Sequence, residues 1–146
     1  MKTIYLVSCV SRKATEPKPA MELYESDWFC KARQYVAQSR PPDLWFILSA
    51  EHFLLDPNKI VEPYNTNLNR MGRQDRRRWS ARVLEQINSV LGPGDRVVVL
   101  AGQRYREMLV PSLRAAGHIV EVPMEGMPIG KQKAWLLAQI RHEALP

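Results

Sequence analysis

The chain is poor in cysteine. Cys9 and Cys30 are the two it has in 146 residues, which is too few and too widely spaced for a disulfide framework. No group of cysteine, histidine and carboxylate residues has metal-ligand spacing, so no structural metal is expected, and no cofactor is implied. Apolar runs near the roughly 20 residues that span a bilayer are also missing. No membrane partner is therefore expected, and cytoplasmic residence is the default. The Gly-x-x-x-x-Gly-Lys-Ser/Thr phosphate loop does not occur, nor does any internal repeat, linker or low-complexity tract. Acidic residues are in deficit, with 15 Asp and Glu against 21 Lys and Arg, a net charge of +6.

What is present suits one soluble α/β domain spanning 1–146, long enough to bury a core. Apolar residues make up 45% and charged residues 25%, ordinary values for a globular protein. Met1 to Val7 has a lysine and a short apolar run but no convincing cleavage site after it, so it reads as a first strand, not a signal peptide. Much of the positive charge is concentrated in one segment. Arg70, Arg73, Arg76, Arg77, Arg78 and Arg82 share it with Asp75 alone. Such a run either attracts polyanions or forms a solvated helix face. Arg70, Arg73 and Arg77 are the candidate nucleic-acid contacts.

Four nearly continuous apolar runs, Thr3–Val10, Leu44–Leu48, Arg96–Ala101 and His118–Val122, read as buried strands. Helical spacing fills the intervals. The first helix runs over Met21–Ser39, with Ser26 as the N-cap of its main part. The second spans about Arg70 to Leu91, with Trp79, Val83 and Ile87 on its core face. The third is roughly Gln103–Ala116, kinked by Pro111. The last runs from about Ile129 to Glu143. Strands alternating with helices predict a small doubly wound, mostly parallel sheet of at least four strands, with helices on both faces. Phe53–Tyr64 has room to hide another short element.

The stretch from Leu48 to Tyr64 is too long for a plain connection, which needs about 2–6 residues. It carries Ser49, Glu51, His52, Glu62 and Tyr64. Ligand sites of open parallel sheets lie outside the carboxyl ends of the strands. Those ends collect Ser8, Cys9, Ser11 and Lys13 after strand one, and Ser49, Glu51 and His52 after strand two. Gly102, Arg104 and Tyr105 follow strand three; Glu125, Gly126, Gly130 and Lys131 follow strand four. The opposite ends carry turn residues such as Pro41-Pro42 and Gly92-Pro93-Gly94. Each polar residue also has a structural reading. Ser8 and Ser11 are capable backbone caps, and Cys9 suits a small buried site. His52 and Glu62 serve either as acid–base groups or as ordinary packing and pairing residues. Gly126 to Lys131 at a helix start is a weak phosphate-binding candidate.

Leu48 to Pro57 running into Ile60-Val61-Glu62-Pro63-Tyr64 resembles the corresponding stretch of the YaaA peroxide-stress proteins. The similarity is closer to a compact group of bacterial and phage YaaA-like proteins, a domain of unknown function. It is carried by Ser8-Cys9 with Ser11 and Lys13, and by Leu23-Tyr24 with Ser26 and Phe29. Ala101-Gly102 with Tyr105, and Pro123 through Gly126 to Ile129-Gly130, Gln132 and Trp135-Leu136, complete it. The Ser8–Lys13 beginning also resembles a domain of archaeosine synthase that is similar in fold to uracil-DNA glycosylases. The resemblance implies a nucleic-acid or nucleotide partner and N-glycosidic chemistry on a base, nucleoside or nucleotide. Glu51, His52 or Glu62 would then supply the acid or base, and Tyr24, Tyr64 or Tyr105 would stack on the base. Ser8, Ser11, Lys13 and Gly126–Lys131 would hold phosphate. A non-catalytic DNA-binding protein of stress response or phage defence is the alternative.

Overall fold

The strand β1 (Thr3–Ser8) lies at the centre of the sheet, and its Ile4, Leu6 and Val7 are fully buried. The computed structural model describes residues 1–8, 13–38 and 44–144, the last four of these as backbone alone. Cys9 and Ser11 lie outside the described residues, as do Pro41 and Pro42.

Going along the chain, β1 is followed by β2 (Lys18–Pro19), the short helix α1 (Ala20–Leu23), α2 (Asp27–Gln38) and β3 (Leu44–Ser49). Next come β4 (Phe53–Leu55), β5 (Ile60–Val61), a 3-10 turn at Leu68–Arg70 and α3 (Arg73–Asn88). The last third holds β6 (Arg96–Leu100), α4 (Gln103–Arg106), α5 (Leu109–Ala115), β7 (Ile119–Glu121) and α6 (Ile129–Ala144). Among the described residues no helix is long and apolar enough to cross a membrane.

Five strands form one sheet in the order β4-β3-β1-β6-β7. β1 pairs in parallel with β3 on one side and β6 on the other, and β7 extends the sheet in parallel from β6. The α/β expectation is met, with a mostly parallel sheet. The hidden element in the Phe53–Tyr64 stretch is β4, which turns back antiparallel on β3 with Ser49 opposite Phe53. β5 pairs separately with β2. The edge at β4 is short, and the Gln86 side chain of α3 accepts the Leu54 amide at 3.1 Å, which blunts it.

The chain leaves β1 for β3 in one direction, then returns across the sheet to β6. Right-handed crossovers in opposite directions put their helices on opposite faces. Accordingly α2 packs with α6, and α3 packs with α4 and α5. On the first side Tyr35 meets Tyr5 edge-on at 6.2 Å and Trp135 at 5.4 Å.

Two expected helices are broken, each for a local reason. Met21–Ser39 divides because Tyr24 is extended and bridges to Lys13. Ser26 then restarts the helix, its hydroxyl accepting the Phe29 amide at 3.2 Å as an N-cap. Gln103–Ala116 separates into α4 and α5 around Glu107 and Met108. Pro111 has no N–H, and its ring excludes the carbonyl four residues back, so it sits in the first turn of a new helix.

Candidate functional site at the carboxyl edge of the sheet

The parallel strands stand in the sequence order second, first, third, fourth, so the connections diverge between β1 and β6. That divergence opens a crevice beyond the strand ends. Ser8 closes its floor: the hydroxyl is buried and accepts the Gly102 amide at 3.3 Å, tying the end of β1 to the turn after β6.

Next to it, the ends of β1 and β3 bring five of the expected residues into one contact group. The Tyr64 hydroxyl lies 2.5 Å from that of Tyr24 and 2.7 Å from that of Ser49. Ser49 Oγ also accepts the His52 amide at 2.9 Å, which folds the β3–β4 turn back over the strand end. The His52 ring stands edge-on to the Tyr64 ring at 5.3 Å. Lys13 places its ammonium 4.5 Å from the centre of the Tyr64 ring and 5.9 Å from that of Tyr24. No carboxylate among the described residues forms an ion pair with Lys13. Its charge therefore rests on two aromatic faces beside a chain of three hydroxyls, where it attracts an anionic group.

The position of Ser49 is fixed from the other side by α3. Trp79 is buried and donates its indole N–H to the Ser49 carbonyl at 2.8 Å. Tyr105 is buried as well and packs edge-on against Trp79 at 5.5 Å, so its ring belongs to the core.

A cavity of about 440 Å³ adjoins the crevice on the β6–β7 side. Gly102, Arg106, Met124, Gly126, Met127 and Gln132 line it. Gly126 has φ +79°, a conformation L side chains rarely adopt, and it turns the chain from β7 toward α6. Gln132 is locked there: its amide donates to the Met127 carbonyl at 2.8 Å, and its oxygen accepts the Trp28 indole N–H at 2.9 Å.

Other expected residues lie at the surface. Glu51 is exposed and accepts a hydrogen bond from the Thr66 hydroxyl. Glu62, Glu125, Gly130 and Lys131 are exposed. Arg104 is exposed and 3.7 Å from Glu107. On α3 and just before it, Arg70, Arg73 and Arg77 are exposed and form no ion pair among the described residues. Arg76 differs: it pairs with Glu107 at 2.9 Å and donates to the Met71 carbonyl at 2.6 Å, a structural role.

Sequence reasoning missed Arg106 as a cavity wall. The available signal was its place one helical turn beyond Gly102. It also missed Phe53, which has φ +61° where the β3–β4 turn closes. A phenylalanine gives no sequence signal for that conformation. The Glu121 carboxyl is held below the usual carboxylate range, chiefly by its hydrogen bond from Arg96. That of Asp95 is lowered chiefly by the backbone amides of Lys2 and Gly92.

Among the described residues no cluster of histidine, cysteine and carboxylate is arranged to hold a metal ion. No curated protein and no solved structure matches the chain. Residues 4–138 match DUF6884, a family of unknown function, and the chain belongs to that family.

Proposed function

We propose that the protein binds a nucleotide, free or within a nucleic acid, at the carboxyl edge of the sheet and cleaves or exchanges its N-glycosidic bond. The observation that carries this reading is the contact group of Lys13, Tyr24, Ser49, His52 and Tyr64 beside the β1–β6 crevice. It combines a cation for phosphate, the half-buried Tyr64 ring for a base, and hydroxyl and imidazole groups that move protons, whereas Tyr24, expected to stack on a base, is buried against Phe29 and serves as a hydrogen-bond partner. In hydrolysis the C1′–N bond breaks with its electron pair going to the base, and a water oxygen bonds to C1′. The base gains a proton and the water loses one. In this reading His52 serves one of these transfers, with the exposed Glu51 and Glu62 as the carboxylates of the same Leu48–Tyr64 stretch. The resemblance to YaaA-like proteins and to the glycosylase-like domain of archaeosine synthase favours base chemistry over other reactions of nucleotides.

The test is incubation with labelled DNA and RNA containing modified bases, and with free nucleosides and nucleotides. Released base and alkali-labile abasic sites are the products to measure. Product that disappears in Lys13→Met and His52→Ala supports the reading; no product from any of these substrates overturns it.

A second reading is a non-catalytic DNA-binding protein of stress response or phage defence. The exposed Arg70, Arg73 and Arg77, without carboxylate partners among the described residues, favour it. Contacts of this kind bind phosphates and weaken steeply with salt. Duplex binding that is salt-dependent and is lost in Arg73→Glu/Arg77→Glu, but unchanged in His52→Ala and Glu62→Ala, is its signature.

A further inference from the structure

The β3–β4 turn serves two surfaces. Ser49 and His52 contact Tyr64 at the carboxyl edge. Ala50 and Phe53, from the same turn, line a different groove of about 440 Å³ against α3. Its other walls are Met71, Trp79, Arg78 and Arg82, with Asp75 at the rim. The volume falls within the roughly 300–1,000 Å³ typical of small-ligand clefts.

The lining is selective in its chemistry. Arg78 and Arg82 are one helical turn apart and so present two guanidinium groups from the same side of α3. Arg82 lies 5.6 Å from the centre of the Phe53 ring. Arginine planes and aromatic rings are the two kinds of surface on which unstacked bases pack. Asp75 is 3.5 Å from Arg78 and offsets one of the two charges, while Arg82 forms no ion pair among the described residues. Phe53 holds φ +61°, the left-handed region that bulky L side chains rarely adopt. The chain keeps a large aromatic ring in this uncommon conformation at the wall of a basic groove.

We infer that the groove formed by Phe53, Met71, Trp79, Arg78 and Arg82 receives an unpaired nucleotide of a single-stranded nucleic acid, neighbouring the one held at the carboxyl edge. The base stacks on Phe53 and Arg82, and its phosphates meet Arg78 and Arg82. This rests on the proposed function for the identity of the reacting nucleotide and narrows its substrate to single strands. A duplex cannot present an unstacked base to the groove without being opened.

Fluorescence anisotropy with labelled oligothymidylate, oligouridylate and a matched duplex decides the matter, with thymidine monophosphate as competitor. Single strands are expected to bind more tightly than the duplex. Phe53→Ala and Arg82→Gln, each shown to be folded by circular dichroism, are expected to weaken single-strand binding about tenfold. Preference between the two oligonucleotides assigns DNA or RNA. Equal affinity for single strand and duplex overturns the inference, as does wild-type affinity in both variants, or full competition by the mononucleotide at equal concentration. The glycosidic reading is judged separately, by product formation with the wild-type protein. Variant-sensitive binding without product removes that reading alone; product without variant-sensitive binding removes this one alone.

Discussion

Tyr64 is the residue on which the candidate site turns, because its hydroxyl stands between those of Tyr24 and Ser49. Tyr24 is 2% exposed and Ser49 fully buried, so both depend on partners inside the protein. Tyr64→Phe removes one oxygen and keeps the ring beneath Lys13. It is expected to cost about 1–3 kcal/mol, the penalty for buried polar groups left short of a partner. The urea midpoint should fall with an unchanged slope; an unmoved midpoint would show that the hydroxyl chain contributes nothing to stability. Asp95 gives the acid response at this scale. Its carboxylate accepts the Lys2 and Gly92 amides, each at 2.9 Å, and its folded-state pKa is lowered by those bonds. A depressed carboxylate contributes stability that is complete above its unfolded pKa, about 3.9, and is lost as pH falls through the folded value. Asp95→Ala should therefore lower the melting temperature at neutral pH, and the gap from wild type should close as pH falls below the carboxylate range. A gap independent of pH would refute that linkage.

Among elements, α3 does the most to position the site. Its core face follows the expected spacing, with Trp79, Val83 and Ile87 buried. The periodicity predicted that face but not that Trp79 would reach the Ser49 carbonyl. Trp79→Phe keeps most of the buried ring and removes the donor. A loss of about 1–3 kcal/mol is expected, together with weaker ligand binding at the carboxyl edge, because the end of β3 loses its anchor. Calorimetry and a binding titration read the two effects, and unaltered stability would exclude this anchoring role. For α2, Ser26→Ala removes the cap on the Phe29 amide and should cost about 1 kcal/mol by chemical denaturation. Ser26 was legible because a cap is a local feature. The break between α4 and α5 was only half legible: Pro111 announced a disturbance, while the restart at Leu109 depends on how α5 packs beneath α3 and β7.

At the scale of the whole molecule, the sheet separates the candidate site from the closing turns. The carboxyl edge carries the hydroxyl and tyrosine group; the other end carries the turns that lead into β6 and β7. There the Gly94 amide donates to the Gly117 carbonyl at 2.8 Å. The buried His118 faces the Gly92 carbonyl at 3.1 Å and the Asn88 side-chain oxygen at 2.8 Å. Gly117 has φ +92°, and a Cβ there would approach Pro93 to 3.3 Å. Gly117→Ala should cost about 1–2 kcal/mol from the left-handed backbone, with ligand affinity at the carboxyl edge unchanged once the protein is folded. Affinity that falls along with stability would show that the two ends are coupled.

The sequence by itself determined the four parallel strands but not β2, β4 or β5, since an apolar run such as Val97–Leu100 is satisfied only by burial on both faces; β7, expected to be buried, is instead an edge strand with Ile119 and Glu121 exposed. The sequence also determined the period of α3 and the gathering of polar residues after each strand, because these are patterns within a few consecutive positions. Tertiary structure alone decided which of those residues meet. Tyr24 and Tyr64 are 40 positions apart, Ser8 and Gly102 are 94 apart, and both contacts depend on the order and register of β3, β1 and β6. The groove at Phe53 arises in the same way, from an antiparallel return that places a turn against α3. Local propensity has no term for strand order. Order follows from burying every apolar face at once, and so it belongs to the fold as a whole.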